Sequence, residues 1–336
     1  MKIAIDAMGG DYAPREIVAG TLLAAEANPE WQLILIGHKE KIKPYLTQAF
    51  PNLTIHHAAE TIEMDEHPAN TVRRKKDASI VVATRLVKEG QADAIVGAGS
   101  TGAQMAAALL GLGRIRGIDR PAIVAVMPTL NGGKVVLDVG ANPDAKPLNL
   151  LQYAGMGSIY AEKILGFQHP QVGLLNIGSE EGKGNELTQQ AYELLKTAPL
   201  NFVGNVEGRD VPYGRVDVVV CDGFVGNVLL KSFEGLSAAL FELIKERITA
   251  NSLRKLGALA IKPGLKELVK MMDHAEVGGA PLLGVDGVSV ICHGSSNAKA
   301  IFNAIRVAKE CVDVRLIETI RQELAQQAPA RQEGEV

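Results

Sequence analysis

Six times along this chain, an apolar run rich in β-branched residues stops at a glycine-rich polar turn, and most of these turns lead into a segment with helical periodicity. The runs are residues 2–6, 94–97, 134–139, 172–177, 216–221 and 288–291. Runs so continuously apolar suit strands buried on both faces, and the intervening helical segments supply the crossovers that parallel strands require. Two further runs, residues 31–37 and 122–127, fit the same sheet. The expected fold is a three-layer α/β architecture built on a doubly wound, mainly parallel sheet. With 336 residues, 47% of them hydrophobic, the chain has ample material for that core.

Open α/β sheets bind ligands at the carboxyl ends of their strands. That is where the turns fall: DAMGGD (6–11), GAGSTGA (97–103), DVGAN (138–142), NIGSEEGKGNE (176–186), CDGFVGN (221–227) and HGSSN (293–297). Turn geometry alone explains one or two such segments, whereas six polar strand ends point to the lining of one active-site cleft. Gly97, Gly99 and Gly102 satisfy G-x-G-x-x-G. A dinucleotide site also wants an acidic residue at the end of the next strand, yet that run leads into Pro128 and Thr129, and Asp119 precedes it. The alternative is phosphate: Ser100, Thr101 and the N–H groups of a helix start form an anion nest, although a capped turn uses the same residues.

GSEEGKG is one residue short of a P-loop and lacks the hydroxyl after lysine. What remains is Lys183 between two glycines, either solvated or meeting a negative ligand. Asn227 either caps the helix beyond it or donates its amide to a developing oxyanion. Asp6 and Asp11 flank two glycines and have a turn-stabilising role open to them. No G-x-S-x-G elbow surrounds Ser100 or Ser295, so a covalent serine is disfavoured, while His293 stays a hydrogen-bonding candidate for phosphate. His56, His57, Asp65 and His67 lack helical metal spacing, and neither a metal nor a cofactor is expected.

Residues 233–272 depart from this pattern. Leu236, Leu240, Leu243, Ile244 and Ile248 recur at helical spacing, as do Leu265, Leu268, Val269 and Met272, which predicts a helical hairpin outside the sheet. Gly257, Pro263 and Gly264 are expected to interrupt it. Its tip sets Leu253, Leu256, Leu259 and Ile261 among Lys262, Lys266 and other cations: either an interfacial membrane anchor or a packing surface. The helices below suit a dimer interface. The expected organisation is one α/β unit over 1–321, with the hairpin as an excursion and 322–336 as a solvated tail.

A net charge of −3, with 22% charged residues, gives no basic excess for nucleic acid. The three cysteines suit no disulfide framework, which fits a reducing compartment. The opening MKIAIDAMGGD is too short in apolar residues for a signal peptide, and no later stretch offers about eighteen uninterrupted apolar residues, so a cytoplasmic, non-spanning chain is expected.

Taken in order from about Met1 to Glu318, these motifs, with Arg120-Pro121 and GGAPLLGVDG, resemble the bacterial acyl-acyl-carrier-protein:phosphate acyltransferases of phospholipid synthesis. The resemblance implies a fold similar to phosphotransacetylases and isocitrate or isopropylmalate dehydrogenases, in a homodimer. It implies an acyl-carrier protein as donor, inorganic phosphate as acceptor, and peripheral attachment to the inner face of the membrane near a glycerol-3-phosphate acyltransferase. It casts Lys183 and Asn227 as the catalytic pair and the 253–266 tip as membrane-contacting. Asp6, Gly99, Ser100, Thr101, Gly102, Asn142, Asp222 and His293 are then expected to bind phosphate and the acyl donor.

Overall fold

The structure, a computed structural model, describes residues 1–272 and 274–327, and of these the side chains of all but Leu253, His274 and 325–327. The strands are β1 (Lys2–Asp6), β2 (Gln32–Gly37), β3 (Leu53–His57), β4 (Ala94–Gly97), β5 (Ala122–Ile123), β6 (Ala125–Thr129), β7 (Gly132–Leu137), β8 (Val172–Asn176), β9 (Phe202–Glu207), β10 (Val218–Val220), β11 (Ala280–Leu283) and β12 (Val288–Ile291). The helices are α1 (Arg15–Ala27), α2 (Lys39–Ile42), α3 (Pro68–Arg74), α4 (Ser79–Lys88), α5 (Thr101–Gly111), α6 (Pro147–Lys163), α7 (Glu186–Thr197), α8 (Gly223–Ile248), α9 (Ser252–Met272), α10 (His274–Val277), α11 (Ala298–Asp313) and α12 (Leu316–Gln327).

The strands form two sheets rather than the single one expected. A seven-stranded sheet has the order β3-β2-β1-β4-β12-β11-β5, and a five-stranded sheet the order β6-β7-β10-β8-β9. Most pairs are parallel; β11 runs against β12 and β5, and β6 against β7. The split falls inside the run 122–127. Val124 donates its N–H to Pro281 O at 3.0 Å, and the chain leaves β5 of one sheet to start β6 of the other. An unbroken apolar run carries no sign of that break, because both halves are buried.

Alternation along each strand explains the three layers. Ile3 and Ile5 join Ile17, Val18 and Leu22 of α1 in one cluster, whereas Ala4 faces the other way, with Ile80 and Ala83 of α4. In the five-stranded sheet, Leu137, Leu174 and Val218 share the first cluster with Leu150, Tyr153 and Ala154 of α6. Each cluster thus continues beneath both sheets, and strands covered on two faces must be apolar throughout.

The hairpin exists, with differences. Its first helix begins at Gly223, on the end of β10, and α9 runs through Gly257, Pro263 and Gly264 without the expected interruption. Pro263 removes one backbone donor from that helix, a local loss that the turns on either side bridge. By length and composition α8 is long and apolar enough to cross a membrane, although Lys231 and Glu234 break its apolar run. The C-terminal segment expected as tail from 322 is helical to Gln327; residues 328–336 lie outside the described part.

Candidate active site

The six glycine turns sort into two groups of three, one on the carboxyl edge of each sheet. In the seven-stranded sheet the turns after β1, β4 and β12 meet. A Cβ on Gly9 would lie 2.8 Å from Gly99 Cα, so the two loops touch backbone to backbone. Asp11 N–H donates to Gly294 O at 2.8 Å, tying in the third turn. The Asp6 carboxylate is buried and accepts from Met8 N–H at 3.0 Å. Burial pushes its pKa up, while the Ser79 hydroxyl and the Met8 and Gly9 N–H groups act to lower it. Asp6 therefore orders its own loop. Ser100 is the N-cap of α5, its hydroxyl accepting from Ala103 N–H at 3.4 Å, and the exposed Thr101 opens the helix. Gly102 abuts Pro68, where a Cβ would come within 2.8 Å of Cγ. His293 is exposed, with Nδ1 2.7 Å from Ser295 Oγ.

In the five-stranded sheet the turns after β7, β10 and β8 are adjacent, because β10 pairs with β7 on one side and β8 on the other. Val220 is level with Leu137 and with Leu174, so all three turns leave at one height. Asp222 caps α8: its Oδ1 accepts from Phe224 N–H at 2.9 Å and Val225 N–H at 3.0 Å. That removes the capping role considered for Asn227, which lies inside the helix and half-buried. Gly140 sits against the Asn227 amide, since a Cβ there would be 3.6 Å from Asn227 Nδ2. Asn142 donates its amide to Tyr153 Oη at 3.2 Å.

The lysine loop is held by side-chain amides on its carbonyls. Asn176 donates to Lys183 O at 3.0 Å, Asn205 to Glu180 O at 2.8 Å, and Gln189 to Gly182 O at 3.0 Å. The Lys183 ammonium itself is exposed and, among the described residues, has only Glu180, 3.8 Å away, as an ionic partner. An exposed pair at that distance contributes little, so the ammonium is free to meet an arriving anion. Lys183 and Asn227 therefore sit beyond the ends of neighbouring strands, β8 and β10, on one edge of one sheet.

The two sheets are tied at the crossover between them, where β5 meets the end of β7. Ile123 ends β5, which points the same way as β4 and β12, and its N–H donates to Asp138 Oδ1 at 3.0 Å, just past the end of β7. Cavities of about 180 Å³ (lined by Ser158, Glu162, His169, Asn201 and Glu323) and about 10 Å³ (beside Lys134, Asp210 and Arg215) lie elsewhere. Among the described residues no three His, Cys, Asp or Glu side chains gather as a metal site. Three elements of this region were not singled out from sequence: the buried Asp138, and the clamps Asn205 and Gln189. Polar residues inside apolar strands were the available signal for Asn205.

This fold is shared with phosphotransacetylases. A phosphotransacetylase from Streptococcus pyogenes matches with a TM-score of 0.59 at 20% identity, covering 95% of this chain and 94% of that one. A putative 4-hydroxythreonine-4-phosphate dehydrogenase from Salmonella typhimurium matches with a TM-score of 0.54 at 12% identity, over 92% and 98% of the two chains. Sequence narrows the class. The family described as "Fatty acid synthesis protein" matches residues 1–319. A phosphate acyltransferase from Desulfitobacterium hafniense is 71% identical over 327 residues, 96% of this chain and 98% of that protein. The chain belongs to this family, the phosphate acyltransferases of fatty acid and phospholipid synthesis.

Proposed function

We propose that this phosphate acyltransferase takes a long-chain fatty acyl group from the thioester of acyl-carrier protein and passes it reversibly to inorganic phosphate. The observation that carries this reading is the placement, beyond adjacent strand ends, of Lys183 in a clamped loop with its exposed ammonium 3.8 Å from Glu180 and of Asn227, whose amide does not cap α8. Phosphate is already an oxyanion nucleophile, so the site has only to orient it and stabilise the charge that develops on the thioester oxygen.

Ser100, Thr101 and the first N–H groups of α5 hold phosphate, with His293 on the neighbouring turn as a further donor. A phosphate oxygen attacks the thioester carbonyl carbon; the carbonyl oxygen takes up negative charge beside the Lys183 ammonium and the Asn227 amide. Collapse of the tetrahedral species breaks the C–S bond, and the carrier's thiolate leaves with the electron pair. No acyl-enzyme is needed. The cysteines fit this, for burial pushes the Cys292 and Cys311 thiols up to about 12 and Cys221 also upward, which keeps them as poor nucleophiles.

The exposed apolar face of α8 fits a homodimer contact. The hairpin turns at 249–251, so the stretch expected as its tip, 253–266, runs along α9 instead; its apolar residues fit reversible attachment to the cytoplasmic face of a membrane, where a glycerol-3-phosphate acyltransferase would consume the product. Of the tip residues named from sequence, Leu256, Leu259 and Ile261 are exposed, as are Lys262 and Lys266. The Leu253 side chain lies outside the described residues.

The test is hydroxylamine trapping of acyl phosphate from purified protein, long-chain acyl-carrier protein and phosphate. Lys183→Ala and Asn227→Ala are each expected to lower kcat about 10²- to 10³-fold with the fold intact, the usual loss for one oxyanion donor. Wild-type thiol release from either variant removes that residue from the chemistry, and no acyl phosphate from the unaltered protein rejects the reading. Nicotinamide-dependent absorbance change would restore the dinucleotide reading of the Gly97–Gly102 loop.

A further inference from the structure

Asp138 is fully buried, with 0% of its surface exposed, and no cation pairs with it among the described residues. A carboxylate in such a place needs hydrogen-bond donors, and here they are all backbone. Oδ1 accepts from Ile123 N–H at 3.0 Å, Gly140 N–H at 3.1 Å and Ala141 N–H at 2.9 Å. Oδ2 accepts from Asn142 N–H at 2.6 Å. One side chain thus gathers three successive N–H groups of the DVGAN turn and fastens them to the strand where one sheet passes into the other. Burial pushes its pKa up, and the four N–H groups pull it back down.

The start of α8 is built against this turn. Gly223 donates its N–H to Asn142 O at 3.0 Å. A Cβ on Gly223 would stand 2.6 Å from Asp138 Oδ2 and 2.8 Å from Asn142 N, and a Cβ on Gly226 would stand 1.9 Å from Asp138 O. Only glycine fits at either position, so the first turn of the helix runs in backbone contact with the aspartate. Cys221, just before Asp222, bonds both residues at the end of the neighbouring strand: its N–H donates to Leu137 O at 2.8 Å, and its carbonyl accepts from Asp138 N–H at 3.0 Å. The residue after Gly226 is Asn227, with Gly140 of the same turn beside its amide.

We propose that Asp138 is the positioning residue of this site: its carboxylate shapes the 139–142 turn against the first turn of α8 and thereby fixes where Asn227 presents its amide. The claim rests on the reading of Asn227 as an oxyanion donor. Asp138 touches no reacting atom; it acts through the turn. Replacing the carboxylate with an amide, as in Asp138→Asn, sets an N–H₂ against one of the four donors and releases the turn while keeping side-chain volume.

The experiment is a double-mutant cycle on acyl phosphate formation, with amide hydrogen exchange on the same full-length proteins. Asp138→Asn is expected to lower kcat about 30-fold or more, most of what loss of one oxyanion donor costs, with the acyl-donor KM within about threefold. In the Asn227→Ala background the same substitution should change kcat less than about threefold, because residues acting as a unit are not additive. Faster exchange confined to residues 139–142 and 223–228 should accompany it. Equal kcat losses in both backgrounds, an unchanged kcat, or a loss carried entirely by KM would overturn the proposal.

Should Asp138→Asn fail to fold, Asp138→Glu keeps the charge but moves the carboxylate by one methylene away from the turn's N–H groups, and the same non-additivity with Asn227→Ala is required of it. If Asn227→Ala alone keeps full turnover, the catalytic reading has failed instead. Exchange then decides the positioning claim by itself: unchanged protection of 139–142 and 223–228 in Asp138→Asn sinks it, and local loss of protection retains it.

Discussion

Asp222 follows a buried strand in a glycine-rich turn, and from sequence that position marks it as a ligand for phosphate or the acyl donor. Its Oδ1 accepts two N–H groups at the start of α8, which is the work of an N-cap. Asp222→Ala is expected to lower stability by about 1 kcal/mol, read as a shift in the urea midpoint at constant m-value. Asp222→Asn keeps the cap and should restore the midpoint. If its turnover is restored too, the carboxylate serves the helix alone; restored stability with turnover still depressed places it on substrate. Residues such as this one mark the limit of what the sequence could assign. The chain pattern showed that Asp6, Ser100, Asp138 and Asp222 lie at strand ends, because apolar runs and glycines fix strand ends locally. It did not show that most of these oxygens turn back onto N–H groups two to four residues further along their own turns, nor that Asp138 also accepts from Ile123 on another strand, because a polar side chain at a strand end can equally face a ligand.

At the scale of elements, legibility follows burial. The strands covered on both faces, such as β1, β4 and β12, were readable as unbroken apolar runs. β3 and β9 are only partly buried, and β11 carries Pro281, so none of the three produced a comparable run. The division into two sheets was invisible for the opposite reason, β5 and β6 being both apolar and separated by Val124 alone. The hairpin was legible through its periodicity, yet its use depends on what lies outside the chain. Leu256 is 67% exposed and Leu259 63% exposed, three positions apart on one face of α9, with Lys255 and Lys262 alongside. Burying each leucine in a lipid interface contributes about 1.5 to 3 kcal/mol before ordering costs. Leu256→Glu with Leu259→Glu should therefore lower co-sedimentation with anionic vesicles at least about tenfold while leaving turnover in solution unchanged. Undiminished sedimentation would assign the tip to protein packing instead.

For the whole molecule, the feature that most needs a partner is α8. Its first turn is locked by Asp222 and by the DVGAN turn, but of its described residues only Gly223 and Gly226 are buried within the chain. Leu236, Leu240 and Leu243 line up four and three positions apart and stand 71%, 53% and 53% exposed. A helix of 26 residues with such a face is not supported by α9 alone, and a second copy of the chain offers the same face in return. Leu240→Glu with Leu243→Glu should then convert the protein from two chains to one in equilibrium sedimentation, where a single chain has a mass of 35.7 kDa. Because Asn227 belongs to the same helix, the proposed assembly and the proposed chemistry share one element. The monomeric variant should keep Asp222 capping and the Asp138 turn, both formed within one chain, and so retain folded sheets while the helix beyond Phe233 loses amide protection. A variant that remains dimeric, with that protection unchanged, would move the interface off α8 and leave its apolar face to the membrane.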